Sequence, residues 1–325
     1  MSFCSFAYEF GLAILYSFPN PGCKRNMNSP LLKNNLVYVK LVLVTLFWGG
    51  TFIAGRIVAH ALPAMTAAAL RFAVAAVLLL LVAWMKEGGL PRLSGKQMAA
   101  TAALGLTGIF LYNLCFFGAL GSMPAGRAAL FIALNPIVTA LAAAVLLRER
   151  LHAVKWAGIA LAFAGAAIVI TRGDPMAALH DIGQSLGKGE LLMLCAISSW
   201  AAYTLVGRAA LKGLTPVAAT TYAALWGLLF LLVGAGRDLV TLQWSAIGWQ
   251  VWGSLGYLGA FGTVLGFVWY YEGVKAIGAS RTAVFNNLVP VFGIGLAALL
   301  LGEQVLASMV AGGVLVAAGV TLTNR

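Results

Sequence analysis

Charge is scarce in this chain: of 325 residues only 9% are charged, 62% are hydrophobic, and just nine are acidic. A water-soluble domain of this size cannot cover its surface with so few ionic groups, whereas a lipid-facing surface needs hardly any. Histidine is equally rare. The three present, His60, His152 and His180, fall in loops or at the ends of apolar segments, which argues against a membrane-embedded enzyme with converging ionisable groups. Of the four cysteines, Cys4 and Cys23 lie near the start and Cys115 and Cys195 inside apolar segments. None has the paired spacing of a disulfide framework or a metal site, so Cys115 and Cys195 read as small buried hydrophobes. A phosphate-binding loop is also missing, which argues against direct coupling to nucleotide hydrolysis within this chain. No cofactor or metal is expected.

What the chain has in abundance is long apolar segments, near 36–59, 64–84, 97–120, 125–147, 152–171, 190–210, 216–236, 247–271, 279–301 and 305–322. A helix needs roughly 20 apolar residues to cross a bilayer, and lipid forbids unpaired backbone, so each segment is expected to be a transmembrane helix. The fold class is all-α, a polytopic membrane protein of ten transmembrane helices. The net charge of +12 does not point to nucleic acid, because its 21 Lys and Arg are scattered singly between the apolar segments. They act as topology signals: with the N-terminus inside, fifteen fall on or near the cytoplasmic side and six on the other, which favours both termini in the cytoplasm.

Residues 1–30 do not match the rest, since the apolar run at 10–18 is too short to span and is followed by Pro19, Asn20, Pro21 and Gly22. They read either as a weak signal-like segment or as sequence upstream of a true start at Met27, and we prefer the second reading.

The two halves superpose by a nearly constant shift. Trp48, Gly55 and Arg56 fall on Trp200, Gly207 and Arg208 at a shift of 152, and Arg127, Phe131, Pro136, Glu149, Gly158 and Gly165 fall on Arg281, Phe285, Pro290, Glu303, Gly312 and Gly319 at 154. Residues 31–173 and 188–325 are thus two repeats of five helices. An odd number of crossings gives the second the opposite orientation, and such inverted repeats suit alternating access around a central site, though duplication can also simply build a stable bundle.

The residues Leu46-Phe47-Trp48-Gly49-Gly50-Thr51-Phe52, Leu70-Arg71-Phe72, and Asn135-Pro136 leading to Arg148-Glu149-Arg150 resemble the EamA repeat of the drug/metabolite transporter superfamily. Ser199-Trp200-Ala201-Ala202-Tyr203 resembles the start of a second copy, and Gly278-Ala279-Ser280-Arg281 through Leu288-Val289-Pro290 to Leu301-Gly302-Glu303 its end. The resemblance implies a metabolite exporter or permease of a bacterial inner membrane, with some members exporting amino acids. It also implies a central cavity lined by the first, third, fourth, sixth, eighth and ninth helices.

Helical spacing places Trp48, Thr51, Phe52 and Gly55 on one face, repeated by Trp200, Tyr203, Thr204 and Gly207. A Trp or Tyr there either stacks on a substrate or packs helices. Tyr112, Asn113 and Phe116 on the third helix, and Tyr257, Phe261, Trp269 and Tyr270 on the eighth, extend the aromatic population, with Trp269 and Tyr270 also placed to serve in an interfacial belt. Asn113, Asn135, Asn286 and Asn287 are candidate substrate contacts, because an amide in hydrocarbon needs a partner; an interhelical bond is the competing explanation. The ionisable groups Arg71, Arg127, Arg281, Glu149 and Glu303 fall near helix ends and read as structural or gating residues. A Glu at a helix C-terminus opposes the dipole, so Glu149 and Glu303 each require a cationic or hydrogen-bonding partner. Glu272 is the carboxylate to test for proton coupling, unless Lys275 three residues on pairs with it. Pro136 and Pro290, inside helices at matched positions, are candidate hinges.

The expected function is secondary transport, above all export of a neutral or zwitterionic metabolite such as an amino acid, through a cavity without a midplane charge. The expected partners are a small-molecule substrate and the bilayer, in a monomer or homodimer. An alternative is a carrier of sugar phosphates, nucleotide sugars or other anions, which an Arg pointing into the cavity would favour. A noncatalytic assembly subunit is the alternative of another class.

Overall fold

The computed structural model describes residues 30–132, 134–135, 137–139, 141–142, 153–170, 174, 187–210, 213–277, 282 and 285–323, and among them there is no strand. Six helices are long and apolar enough to cross a membrane: Leu36–Ala61, Ala64–Glu87, Gly95–Leu120, Lys188–Gly207, Pro216–Thr241 and Trp249–Ile277. The shortest of these has 20 residues, which at 1.5 Å per residue matches a hydrocarbon layer of about 30 Å. In chain order the helices are α1 (Pro30–Ala61), α2 (Ala64–Glu87), α3 (Gly95–Leu120), α4 (Ala125–Ile132), α5 (Ala153–Ile170), α6 (Lys188–Ala210), α7 (Pro216–Thr241), α8 (Trp249–Ile277), α9 (Leu288–Leu301) and α10 (Ala307–Thr323). Of these α4, α5, α9 and α10 contain shorter apolar stretches.

Local signals set the boundaries. Gly88, at φ 70°, closes α2 in the left-handed conformation that glycine tolerates. Ser94 opens α3 with a capping box shared with Gln97, and Thr215 caps α7 ahead of Pro216. Within the spans, Thr45, Thr51, Thr107, Thr204 and Thr221 turn their hydroxyls back onto carbonyls three or four residues earlier, so that few polar atoms face lipid.

Helix packing follows a twofold pattern. α1 packs on α8 and α9, as α6 packs on α3 and α4; α2 meets the middle of α8, as α7 meets the middle of α3; and α2·α7 and α5·α10 pair with their own counterparts. The middles of α3 and α8 share a further feature, a wide π-helical stretch at Gly105–Leu111 and Leu258–Leu265. Such stretches misalign backbone carbonyls and leave them open to other donors.

Several expectations are revised. Pro290 is not within a continuous helix: the regular structure is interrupted by turn residues Asn286 and Asn287, and Pro290 stands in the first turn of α9, where its missing N–H is tolerated. Trp269 and Tyr270 do not belong to a belt but are buried, whereas Trp84, Trp249 and Trp252 are exposed. Cys195 is exposed and Cys115 half-buried, so neither is a core residue. Pro136, Glu149 and Arg281 lie outside the described residues.

The small residues of α5 and α10 bring these two helices together at the side of the bundle. A side chain added at Gly165 would stand 2.6 Å from the Gly312 carbonyl oxygen and 2.8 Å from the Val316 nitrogen, both immovable backbone. Gly295 in α9 has open space instead. Gly165→Val is therefore expected to destabilise the protein by about 1–3 kcal/mol, and Gly295→Ala to leave it unchanged or slightly stabilised. Thermal unfolding in detergent checks both.

Candidate functional site

A narrow cavity of about 30 Å³ lies between the halves. It is lined by Trp48, Thr51 and Phe52 of α1, Arg71 of α2, Tyr112 and Phe116 of α3, Ile132 of α4, Asn135, Trp200 of α6, Phe267 of α8, Asn286 and Val289. The wall respects the repeat even where residue types change, since a shift of 154 carries Ile132 to Asn286 and Asn135 to Val289. Trp48 and Trp200, also repeat counterparts, meet edge to face with centroids 5.7 Å apart.

Not every aromatic candidate reaches the cavity. The Trp48 indole lines it, but its N–H donates to the Gly262 carbonyl at 3.0 Å, one of the carbonyls offered by the π-helical stretch of α8. Tyr257 donates to the Phe47 carbonyl at 3.0 Å and so ties α8 to α1. Tyr203 packs behind Trp200, stacked on Tyr271, and Trp269 packs against Phe47 beneath the Lys40 ammonium. Asn287 is outside the lining, its amide oxygen buried without a partner. Asn113 stands one layer back, behind Arg71.

Arg71 is the main departure from the sequence reading. Its place near the start of an apolar segment made it a helix-end residue; the structure buries it, 3% exposed, in the cavity wall. Its Nε donates to Thr263 Oγ1 at 3.1 Å and its Nη1 to Asn113 Oδ1 at 2.9 Å. Among the described residues no carboxylate pairs with it. The cavity therefore does carry a charge, and α2, a helix outside the set that the resemblance implied, contributes to it. Phe267 was also missed, although it is the repeat counterpart of Asn113.

The other ionic candidates pair near Lys40 and near Arg56 of α1. Lys40 and Arg56 are separated by about 24 Å of helix. At one end Lys40 pairs with Glu272 at 2.8 Å, so the partner of Glu272 comes from another helix, not from Lys275. At the other end Glu303 pairs with Arg56 at 3.0 Å and accepts the backbone N–H groups of Ala125 and Gly126, each at 3.0 Å. The expected conflict with its own helix dipole does not arise, because α9 stops at Gly302 and Glu303 instead caps the positive end of α4. Arg127, in the first turn of α4, pairs with Glu190 in the first turn of α6 at 3.0 Å. This end of the bundle is thus clasped by two ion pairs that join α1, α4, α6 and the end of α9.

The EamA-like transporter family model matches residues 35–171 and 187–325. The chain belongs to the EamA-like transporter family. It is 32% identical over 289 residues to the uncharacterized transporter YyaM of Bacillus subtilis, covering 89% of this chain and 93% of that protein. It is 30% identical to a probable amino-acid metabolite efflux pump of Salmonella typhimurium, covering 86% of this chain and 91% of the pump. A probable terminal-alkyne amino-acid exporter of Streptantibioticus cattleyicolor is also 30% identical, with 88% and 92% covered. A solved crystal structure aligns with 89% of this chain and 97% of its own at a TM-score of 0.64 and 19% identity, a likeness of fold alone. As an EamA-like transporter the chain is a multi-pass membrane protein.

Two substitutions separate clasp from coupling. Glu303→Ala removes a helix cap and an ion-pair partner together and is expected to cost about 1–3 kcal/mol in thermal unfolding. Glu272→Gln, losing a partly buried pair at the bundle's edge, is expected to cost no more than about 1 kcal/mol and to leave the pH dependence of transport in proteoliposomes unchanged.

Proposed function

We propose that this EamA-like transporter is a secondary carrier that exports an amino acid or a related zwitterionic metabolite by alternating access. In this reading the chain crosses the bacterial inner membrane ten times as two inverted five-helix repeats, with both termini in the cytoplasm. The observation that carries it is the single cavity wall built from both repeats, with Trp48 and Trp200 meeting across it. Only a site shared by two similar halves can be opened to either side by rocking one half against the other. The aromatic and amide lining suits a small solute with an apolar body and a few polar groups. The Salmonella relative, a probable amino-acid metabolite efflux pump, and the Streptantibioticus relative, a probable terminal-alkyne amino-acid exporter, support the same class.

A second reading, transport of a sugar phosphate, gains from the position of Arg71. A phosphate monoester carries about −1.5 to −2 charges, however, and among the described lining residues Arg71 is the one cation. A single carboxylate is the better match in charge.

Counterflow in proteoliposomes tests the proposal: labelled amino acids are expected to exchange saturably, and Trp200→Phe to slow the exchange by a factor of about two to ten. Exchange of sugar phosphates with no movement of any amino acid would replace it with the second reading.

A further inference from the structure

We infer that the cavity contains two polar subsites, a carboxylate site at Arg71 and an ammonium site at Asn135 and Asn286, and that Asn113 and Thr263 position the arginine. The inference rests on the export reading above and deepens it.

The argument starts from the π-helical stretches. In α3 the Asn113 amide nitrogen donates to the Ile109 carbonyl at 2.8 Å, and in α8 the Thr263 hydroxyl donates to the Leu258 carbonyl at 3.0 Å. Both carbonyls belong to the wide turns, one in each half. Because a guanidinium only donates, Asn113 and Thr263 meet it with their oxygens, which accept from Nη1 and Nε. The guanidinium is thereby fixed in direction by two neutral groups, and among the described residues no carboxylate balances its charge. Among the described residues Nη2 makes no hydrogen bond, and a buried cation held this way favours an anion.

Asn135 and Asn286 supply the complementary feature. Each lines the cavity, each is 4% exposed, and each has an amide oxygen with no hydrogen-bond partner. An unpartnered buried acceptor is unfavourable until a donor arrives, and turning the amide about its Cβ–Cγ bond offers that oxygen to a ligand. An α-ammonium supplies three donors. The aromatic rings of Trp48, Tyr112 and Trp200 remain for the apolar side chain.

The test is ligand binding to the purified full chain, read by thermal shift and titration with phenylalanine, phenylalaninamide and 3-phenylpropionate, and with the matching leucine series. The amide lacks the carboxylate, and the propionate lacks the ammonium. Wild type is expected to bind each amino acid about tenfold or more tightly than either analogue. Arg71→Gln is expected to erase the preference over the amide, and Asn286→Leu the preference over the desamino acid. Thr263→Ser should keep the preference over the amide where Thr263→Val loses it, which separates positioning from packing. Equal binding of acid and amide by wild type overturns the carboxylate site while leaving amino-acid export standing. Equal binding of the amino acid and its desamino analogue overturns the ammonium site in the same way. Failure of wild type to bind or exchange any amino acid overturns both the inference and the export reading.

Discussion

A polar atom inside a lipid-embedded bundle has no water to turn to, so it must find a partner within the protein or within a ligand. That constraint explains most of what is unusual in this structure. The π-helical stretches of α3 and α8 loosen the helical ladder at matched depths, and the carbonyls set free are taken by Trp48, Asn113 and Thr263. Each of these bonds crosses between helices or points a further polar group toward the centre. The arrangement ends at Arg71, a cation whose neighbours satisfy its geometry and not its charge.

The bundle combines symmetry in its backbone with asymmetry in its chemistry. Helix contacts and π-helical stretches repeat between the halves, as do the lining pairs Trp48 and Trp200, Ile132 and Asn286, and Asn135 and Val289. The polar lining residues do not: Arg71 has no basic counterpart on α7, and the lining amides Asn135 and Asn286 fall opposite Val289 and Ile132. Similar halves suit a carrier that closes on either side of one site, and the two-ended solute proposed above suits a lining that is not symmetric. The ion pairs obey a similar division, with Lys40 and Glu272 toward one end of α1 and the Arg56–Glu303 and Arg127–Glu190 pairs toward the other.

The apolar segments and the duplication were legible because each is a property of short stretches of chain. Twenty apolar residues make a span whatever surrounds them, and Trp48 matches Trp200 by simple alignment. Helical spacing put Trp48, Thr51 and Trp200 on one face of their helices, and these line the cavity together with Tyr112 and Phe116 of the aromatic population. Tyr203, Tyr257 and Trp269 pack against other rings or backbone instead, which a helix wheel cannot distinguish from facing a cavity. The repeat could have supplied Phe267 from Asn113, had counterparts been compared by position instead of by residue type.

The sequence by itself therefore determined the class of the protein, its helices and the pairing of its halves, since hydropathy and repeat identity reside in each segment. Only the tertiary structure decided which polar groups face one another. Glu303 caps a helix 177 positions away, Lys40 reaches Glu272 across 232, and Arg71 meets Thr263 across 192. In a low-dielectric interior the effect of a charge depends on what stands within a few ångströms of it, and that is fixed only when the helices have packed.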